Sequence, residues 1–189
     1  MSELKISVLV SGGGTNFQAV ADAINDNRIH GARIVQLISS SEKAYALKRA
    51  EKLGIPGRVI KDPDMILPAL QEKKTDLVVL AGYLKILDSG LIRAYRRQII
   101  NIHPSLLPKF GGDGMYGIRV HQAVIAAGEK ESGATVHYVD EGVDTGEVIR
   151  QERLRVREDD TPETLAARVL VIEHRILPEA VGQIAAQKI

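Results

Sequence analysis

The sequence predicts an α/β fold, a mostly parallel twisted sheet with helices on both faces. Two observations predict it. Up to residue 103, short β-branched apolar runs alternate with stretches of helical periodicity, and such a succession closes through right-handed crossovers between parallel strands. The runs are also apolar without a break, as strands buried on both faces are, instead of alternating as in a one-sided sheet.

The elements follow in order. "KISVLV" (Lys5–Val10) reads as a strand, and "TNFQAVADAIND" as a helix started by Thr15 or Asn16. "RIVQLIS" (Arg33–Ser39) is the next strand. "EKAYALKRAEKLG" (Glu42–Gly54) is a helix whose end suits the terminal glycine. "GRVI" (Gly57–Ile60) is a short strand, followed by a weakly patterned helix or turn around Met65–Gln71. "DLVVLAG" (Asp76–Gly82) is a strand, "DSGLIRAYRR" (Asp88–Arg97) a short helix and "QIINIH" (Gln98–His103) a further strand.

Beyond His103 the pattern changes. "GGDGMYG" (Gly111–Gly117) reads as a glycine-rich loop and "VHQAVIAAG" as a short helix. "GATVHYVD" and "GEVIRQERLRV" read as two strands joined through "EGVDTG". The last helix opens at "DDTPETL", with Thr161 as its cap and Pro162 at its first position. No repeat or low-complexity segment divides the 189 residues, so one domain is expected.

Composition narrows the function. The 25 basic and 24 acidic residues leave a net charge of +1, which gives no case for broad nucleic-acid binding. There is no cysteine, which removes disulfides, thiolate metal sites and thiol nucleophiles, and fits a cytoplasmic protein. The first apolar run is too short for a signal segment or a membrane span. No G-x-S-x-G elbow suggests a covalent intermediate, and the spacing of His103, His121 and His137 is not that of metal ligands.

Two stretches carry chemistry. "SGGGTN" lies between the first strand and first helix, where free N–H groups and the helix dipole favour an anion. It is neither G-x-G-x-x-G nor a Walker A loop, so a phosphate monoester fits better than a dinucleotide; a plain tight turn with an Asn cap is the competing reading. In "NIHPSLLP", Asn101 and His103 stand two apart and share one face of a strand, at the carboxyl end where α/β sheets bind ligands. Pro104 and Pro108 keep the chain from continuing as a helix. In "EGVDTGEV", Asp144 is a carboxylate that could pair with His103 and raise its pKa. Asp140 and Glu141 read equally well as a solvated turn. A charged His and an Asn amide together could hold an oxyanion.

Taken together, "SGGGTN", "DLVVLAGYLKIL", "NIHPSLLPKF", "GATVHYVDEGVDTGEVI" and "IEHRILP" resemble the glycinamide ribonucleotide formyltransferases, within the folate-dependent formyltransferase family, over nearly the whole chain. The resemblance implies a formyltransferase fold: a mononucleotide-binding half (1–100) and a catalytic half (101–189). It implies formyl transfer from 10-formyltetrahydrofolate to the amine of 5′-phosphoribosylglycinamide, with no metal. Asn101 and a protonated His103 hold the oxyanion in that scheme, and Asp144 assists. Gly14, Thr15 and Asn16 match the phosphate loop, and Glu173 the ribose-binding position. The spacing supports an inward Glu173, since it borders the helical stripe Leu165, Val169, Ile172 and Ile176; an internal ion pair with an arginine is the alternative. The resemblance further implies a folate pocket lined by Leu80, Tyr83, Leu84, Lys85, Ile86 and Leu87, with Asp140, Glu141, Gly142, Val143 and Asp144 closing over the pterin.

Three departures stand out. Lys85 sits where many relatives carry Arg, and the segment between Ile60 and Asp76 lacks the Ser-Arg-Glu-type motif near the cofactor tail. The loop Gly111–Gly117 is longer than the common form. The partners implied are these small molecules and, as a candidate, a second copy of the chain; nucleic acid and membrane are not expected. Competing readings are a 10-formyltetrahydrofolate hydrolase, a tRNA-directed formyltransferase, and a non-catalytic nucleotide-binding domain.

Overall fold

The unbroken apolar runs are explained by a sheet with two apolar faces. In a computed structural model describing residues 3–188, the first strand, β1 (Leu4–Val10), pairs on both sides. Its Ile6, Val8 and Val10 enter one core cluster while Leu9 enters a second. In β4 (Leu77–Leu80), Leu77 and Val79 face the first cluster and Val78 and Leu80 the second. With both faces buried, no position of the strand is free to be polar without a partner.

Seven strands form one sheet in the order β3-β2-β1-β4-β5-β6-β7. The other members are β2 (Ala32–Ser39), β3 (Gly57–Val59), β5 (Ile99–His103), β6 (Glu131–Tyr138) and β7 (Val148–Arg155). Every pairing from β3 to β5 is parallel; β5–β6 and β6–β7 are antiparallel. The sheet is thus mostly parallel, as the sequence predicts. The short link between β6 and β7 permits only a hairpin-like reversal, whereas parallel neighbours need a crossover.

The first cluster is covered by α1 (Thr15–Asn25), α2 (Ala46–Lys52), α5 (Ile118–Ala126) and α6 (Pro162–Lys188), the second by α3 (Ile66–Glu72) and α4 (Ser89–Ala94). Among the described residues no helix is long and apolar enough to cross a membrane.

Helix ends follow local chemistry. Thr161 Oγ1 accepts the Thr164 N–H at 3.3 Å, and Pro162 opens α6, as expected. After α2, the N–H of Gly54 reaches the Glu51 carbonyl and that of Ile55 the Ala50 carbonyl, with Gly54 at φ +67°, a Schellman end. Three boundaries differ from the sequence reading. The cap of α1 is Gly14, not Thr15 or Asn16; it lies at φ +74° with no side-chain cap, and the Asn16 amide is engaged elsewhere. Helix α2 starts at Ala46 instead of Glu42, because Ser41 draws the N–H groups of Lys43 and Ala44 into a turn. Helix α4 stops at Ala94, and Arg97 turns left-handed at φ +59° to lead into β5. The weakly patterned segment becomes a 3₁₀ turn (Pro63–Met65) running into α3.

Phe17 projects from α1 into the first cluster and is fully buried. Replacing it with Ala removes its contacts and leaves a void, so Phe17→Ala is expected to lower the unfolding free energy by about 3–5 kcal/mol in a urea titration.

Candidate active site

The carboxyl ends of β4 and β5 open onto a cleft of about 730 Å³, a usual size for a small-molecule site. Asn101 and His103 project from the end of β5 into it. They share a face because strand side chains repeat every two residues.

His103 is 4% exposed, and its ring lies between two acceptors. Its Nε2 donates to the Phe110 carbonyl at 2.8 Å, and Nδ1 faces Asp144 Oδ2 at 3.5 Å. A ring with one proton satisfies only one of them; an imidazolium satisfies both. Burial nonetheless pushes the His103 pKa below the ordinary range; Asp144 and the Phe110 carbonyl oppose this, and nearby His137 adds to it. The sequence reading expected Asp144 to raise this pKa. The carboxylate is in place, but desolvation outweighs it.

Asp144 ties the site together. Its Oδ2 also accepts the Gly112 N–H at 3.0 Å, which draws the glycine-rich loop onto the carboxylate. Its Oδ1 lies 3.5 Å from Asn101 Nδ2 and 3.6 Å from His137 Nε2. Burial alone would raise the Asp144 pKa, but the His103 ring and the Gly112 N–H hold it below the ordinary range. The residue sits at φ +59°, a left-handed position that Asp tolerates better than most side chains. Gly111 makes the approach feasible: a Cβ there would lie 2.5 Å from Leu107 Cδ2 and 3.2 Å from Asp144 Cβ.

His137 was missed as a site residue, since only metal-like spacing was sought among the histidines. Its Nδ1 donates to the Tyr138 carbonyl at 2.9 Å, which leaves Nε2 as an acceptor for Asn101 Nδ2 at 3.1 Å. Both neighbours of that amide are acceptors, so its Nδ2 end is fixed toward them. The available signal was pairing: β5 runs antiparallel to β6, with Asn101 opposite His137. His121 of α5 also lines the cleft, 4% exposed, with a buried Nδ1 that no described residue satisfies. Burial first, and His103 second, push its pKa down to about 4.

At the other end of the cleft, Asn16 Nδ2 donates to Glu173 Oε2 at 2.6 Å. Glu173 is 9% exposed, and burial raises its pKa while the Asn16 bond pulls it back. Its partner is this amide and not the arginine of the alternative reading. Asn16 Oδ1 is buried without a partner among the described residues.

The other expected residues divide. Leu80, Tyr83, Leu84, Lys85, Ile86 and Leu87 line one wall, and Asp140, Glu141, Gly142 and Val143 another. Leu84 and Ile86 are exposed, an apolar rim at the mouth. Lys85 Nζ donates to the Lys61 carbonyl at 2.6 Å. Asp140 is held within its own turn by the Gly142 N–H and the Thr145 hydroxyl, as the solvated-turn reading has it. Gly14 and Thr15 are not in the lining; Thr15 borders a neighbouring hollow with Gln18, Arg49 and His174.

Comparison with known proteins adds an independent line. The profile of the formyl transferase family matches residues 4–181. A phosphoribosylglycinamide formyltransferase, chloroplastic, of Arabidopsis thaliana is 40% identical over 98% of this chain and 66% of its own length, so the chain spans just under two thirds of that relative. The crystal structure of phosphoribosylglycinamide formyltransferase from Anaplasma phagocytophilum superposes with a TM-score of 0.90 and 38% identity, covering 99% of this chain and 89% of that one. A formyltetrahydrofolate deformylase from Pseudomonas syringae superposes at 0.89 with 25% identity, covering 98% of this chain and 62% of that one.

The buried His121 has a measurable signature. Unfolded, its ring takes up a proton near pH 6.5; folded, it resists until about pH 4, so stability falls as pH drops through that window. In urea titrations across this range, His121→Leu is expected to lose less stability than the unsubstituted protein. Equal losses would show that His121 carries no such linkage.

Proposed function

The chain belongs to the formyl transferase family, and on that premise we propose that it transfers a formyl group from 10-formyltetrahydrofolate to the amine of 5′-phosphoribosylglycinamide, a step of purine biosynthesis. The products are N-formylglycinamide ribonucleotide and tetrahydrofolate. One observation carries the reading: Asn101, His103 and Asp144 converge at one point of a cleft whose far end holds the buried Asn16–Glu173 pair.

The donor is read against the apolar wall. Leu80, Tyr83, Leu84, Ile86 and Leu87 offer a surface for a flat heteroaromatic ring, and the turn from Asp140 to Asp144 borders it. The Tyr83 hydroxyl is buried with no partner among the described residues, which leaves a polar handle for a ligand there. The acceptor is read against the other end. The Glu173 carboxylate suits ribose hydroxyls, and the loop before α1 suits the phosphate.

The chemistry follows from where protons and charge can go. The substrate amine attacks the formyl carbon, and the carbonyl electrons move onto oxygen. Asn101 Nδ2 holds one hydrogen against His137; its other meets Asp144 only over a long 3.5 Å contact, so an oxyanion lying along that N–H can accept it. The growing negative charge offsets part of the burial penalty on an imidazolium, so His103 takes its second proton from solvent as the oxyanion forms and returns it to solvent when the oxyanion collapses. Asp144, held ionised, balances that cation and accepts the proton leaving the amine by way of water. Collapse breaks the bond to the folate nitrogen, which takes the proton. The lack of cysteine further supports a cytoplasmic location for the reaction.

His103→Ala and Asp144→Asn act on the transition state, so each is expected to cut kcat by about a hundredfold or more with a smaller change in KM. Near-normal turnover in either variant would sink the mechanism. Glu173→Ala is expected to raise KM for the ribonucleotide well above its effect on KM for the folate; an unchanged ribonucleotide KM would refute the ribose assignment. Turnover of 10-formyltetrahydrofolate with and without glycinamide ribonucleotide tests the activity itself, since amine-independent release of formate would mark a hydrolase.

A further inference from the structure

The glycine loop before α1 is held from behind by α2. The N–H of Ala46, the first residue of α2, donates to the Gly12 carbonyl at 3.2 Å. One turn on, Arg49 Nε donates to the Gly13 carbonyl at 2.9 Å. The guanidinium lies 5.2 Å from the centre of the Tyr45 ring, and its Nη1 reaches Gln18 Oε1 of α1 at 3.4 Å. Arg49 therefore joins α2, the loop and α1 with one planar group, which lysine could not match donor for donor.

This grip fixes the direction of the loop's donors. In a trans peptide the C=O and the following N–H point opposite ways. Two successive carbonyls turned toward α2 thus turn the N–H groups of Gly13 and Gly14 away from it. Among the described residues no acceptor takes either group. Gly14 is seated so close that a Cβ would lie 2.5 Å from Ala46 Cβ, and its φ of +74° excludes most other residues as well. The free first-turn N–H groups of α1 and its dipole add to the same side.

We infer that Arg49 is a positioning residue for the substrate phosphate: by holding the Gly13 carbonyl it aims the loop's N–H groups, without itself lining the cleft. It borders the separate hollow beside Thr15 and His174. The inference rests on the proposed acceptor, a ribonucleotide, and assigns a residue outside the set named for that reaction.

The test compares two acceptors that differ only in the phosphate, glycinamide ribonucleotide and glycinamide riboside, with the unsubstituted protein, Arg49→Ala and Arg49→Lys. Loss of a charge-assisted bond that aims the loop is expected to raise KM for the ribonucleotide by about tenfold or more in Arg49→Ala. kcat/KM for the riboside and KM for the folate should change far less. Arg49→Lys keeps a donor and should recover part of the loss; it carries the same comparison if the alanine variant does not fold. A parallel fall of kcat/KM for both acceptors would mark a merely structural role and overturn the inference, as would an unchanged ribonucleotide KM. An unsubstituted protein inactive toward the ribonucleotide would overturn the proposed activity itself, and this inference with it, before any variant is compared.

Discussion

The site depends on the carboxylate of Asp144. It is half-buried, where a charge is costly, and it stays ionised because the His103 ring and the Gly112 N–H lie against it. Each of those contacts fixes something else. The contact to His103 orients the ring, the Gly112 bond seats the glycine-rich loop, and the approach to Asn101 gives its amide a second acceptor. Without the carboxylate, Asn101 would keep only His137 and the His103 ring only Phe110. An interaction of this kind is costly to assemble and stringent once assembled, because a partly satisfied buried network is worse than none.

The parallel half of the sheet was legible because its physics is local. Continuous apolar runs, glycine at a helix end and Thr-Pro at a helix start each act within a few residues, and β1, β4, α6 and the end of α2 appeared close to where they were read. What was misread depended on partners far along the chain. Asn16 looked like a cap because short polar side chains usually cap; its amide is engaged by Glu173, 157 positions later. His137 looked irrelevant because spacing along the chain says nothing of an antiparallel neighbour. The balance on His103 was misjudged for a related reason: a motif shows which charges are near, but not how much water the fold removes.

The two ends of the cleft use different kinds of rigidity. At the Asn101 end, the order is that of a hydrogen-bond network among side chains, anchored to the backbone at Phe110, Gly112 and Tyr138. At the loop before α1, a neighbouring helix holds backbone, and the carbonyls it takes up decide which way the amides face. The second arrangement costs little desolvation, since the groups involved are peptide units that need partners in any fold. It also makes α2, which contributes no lining residue, part of the working surface.

The antiparallel seam between β5 and β6 has a consequence for how the chain acquires competence. Asn101 meets His137 only in one register, and a slip of a single residue would carry one of them to the opposite face of the sheet. The two strands are joined through a long excursion that includes α5, so this pairing depends on correct folding of everything between. A misregistered sheet could still bury much the same apolar surface, yet its amide would face no imidazole. Activity is therefore an assay of assembly fidelity, reporting on strand alignment that bulk stability measurements would overlook.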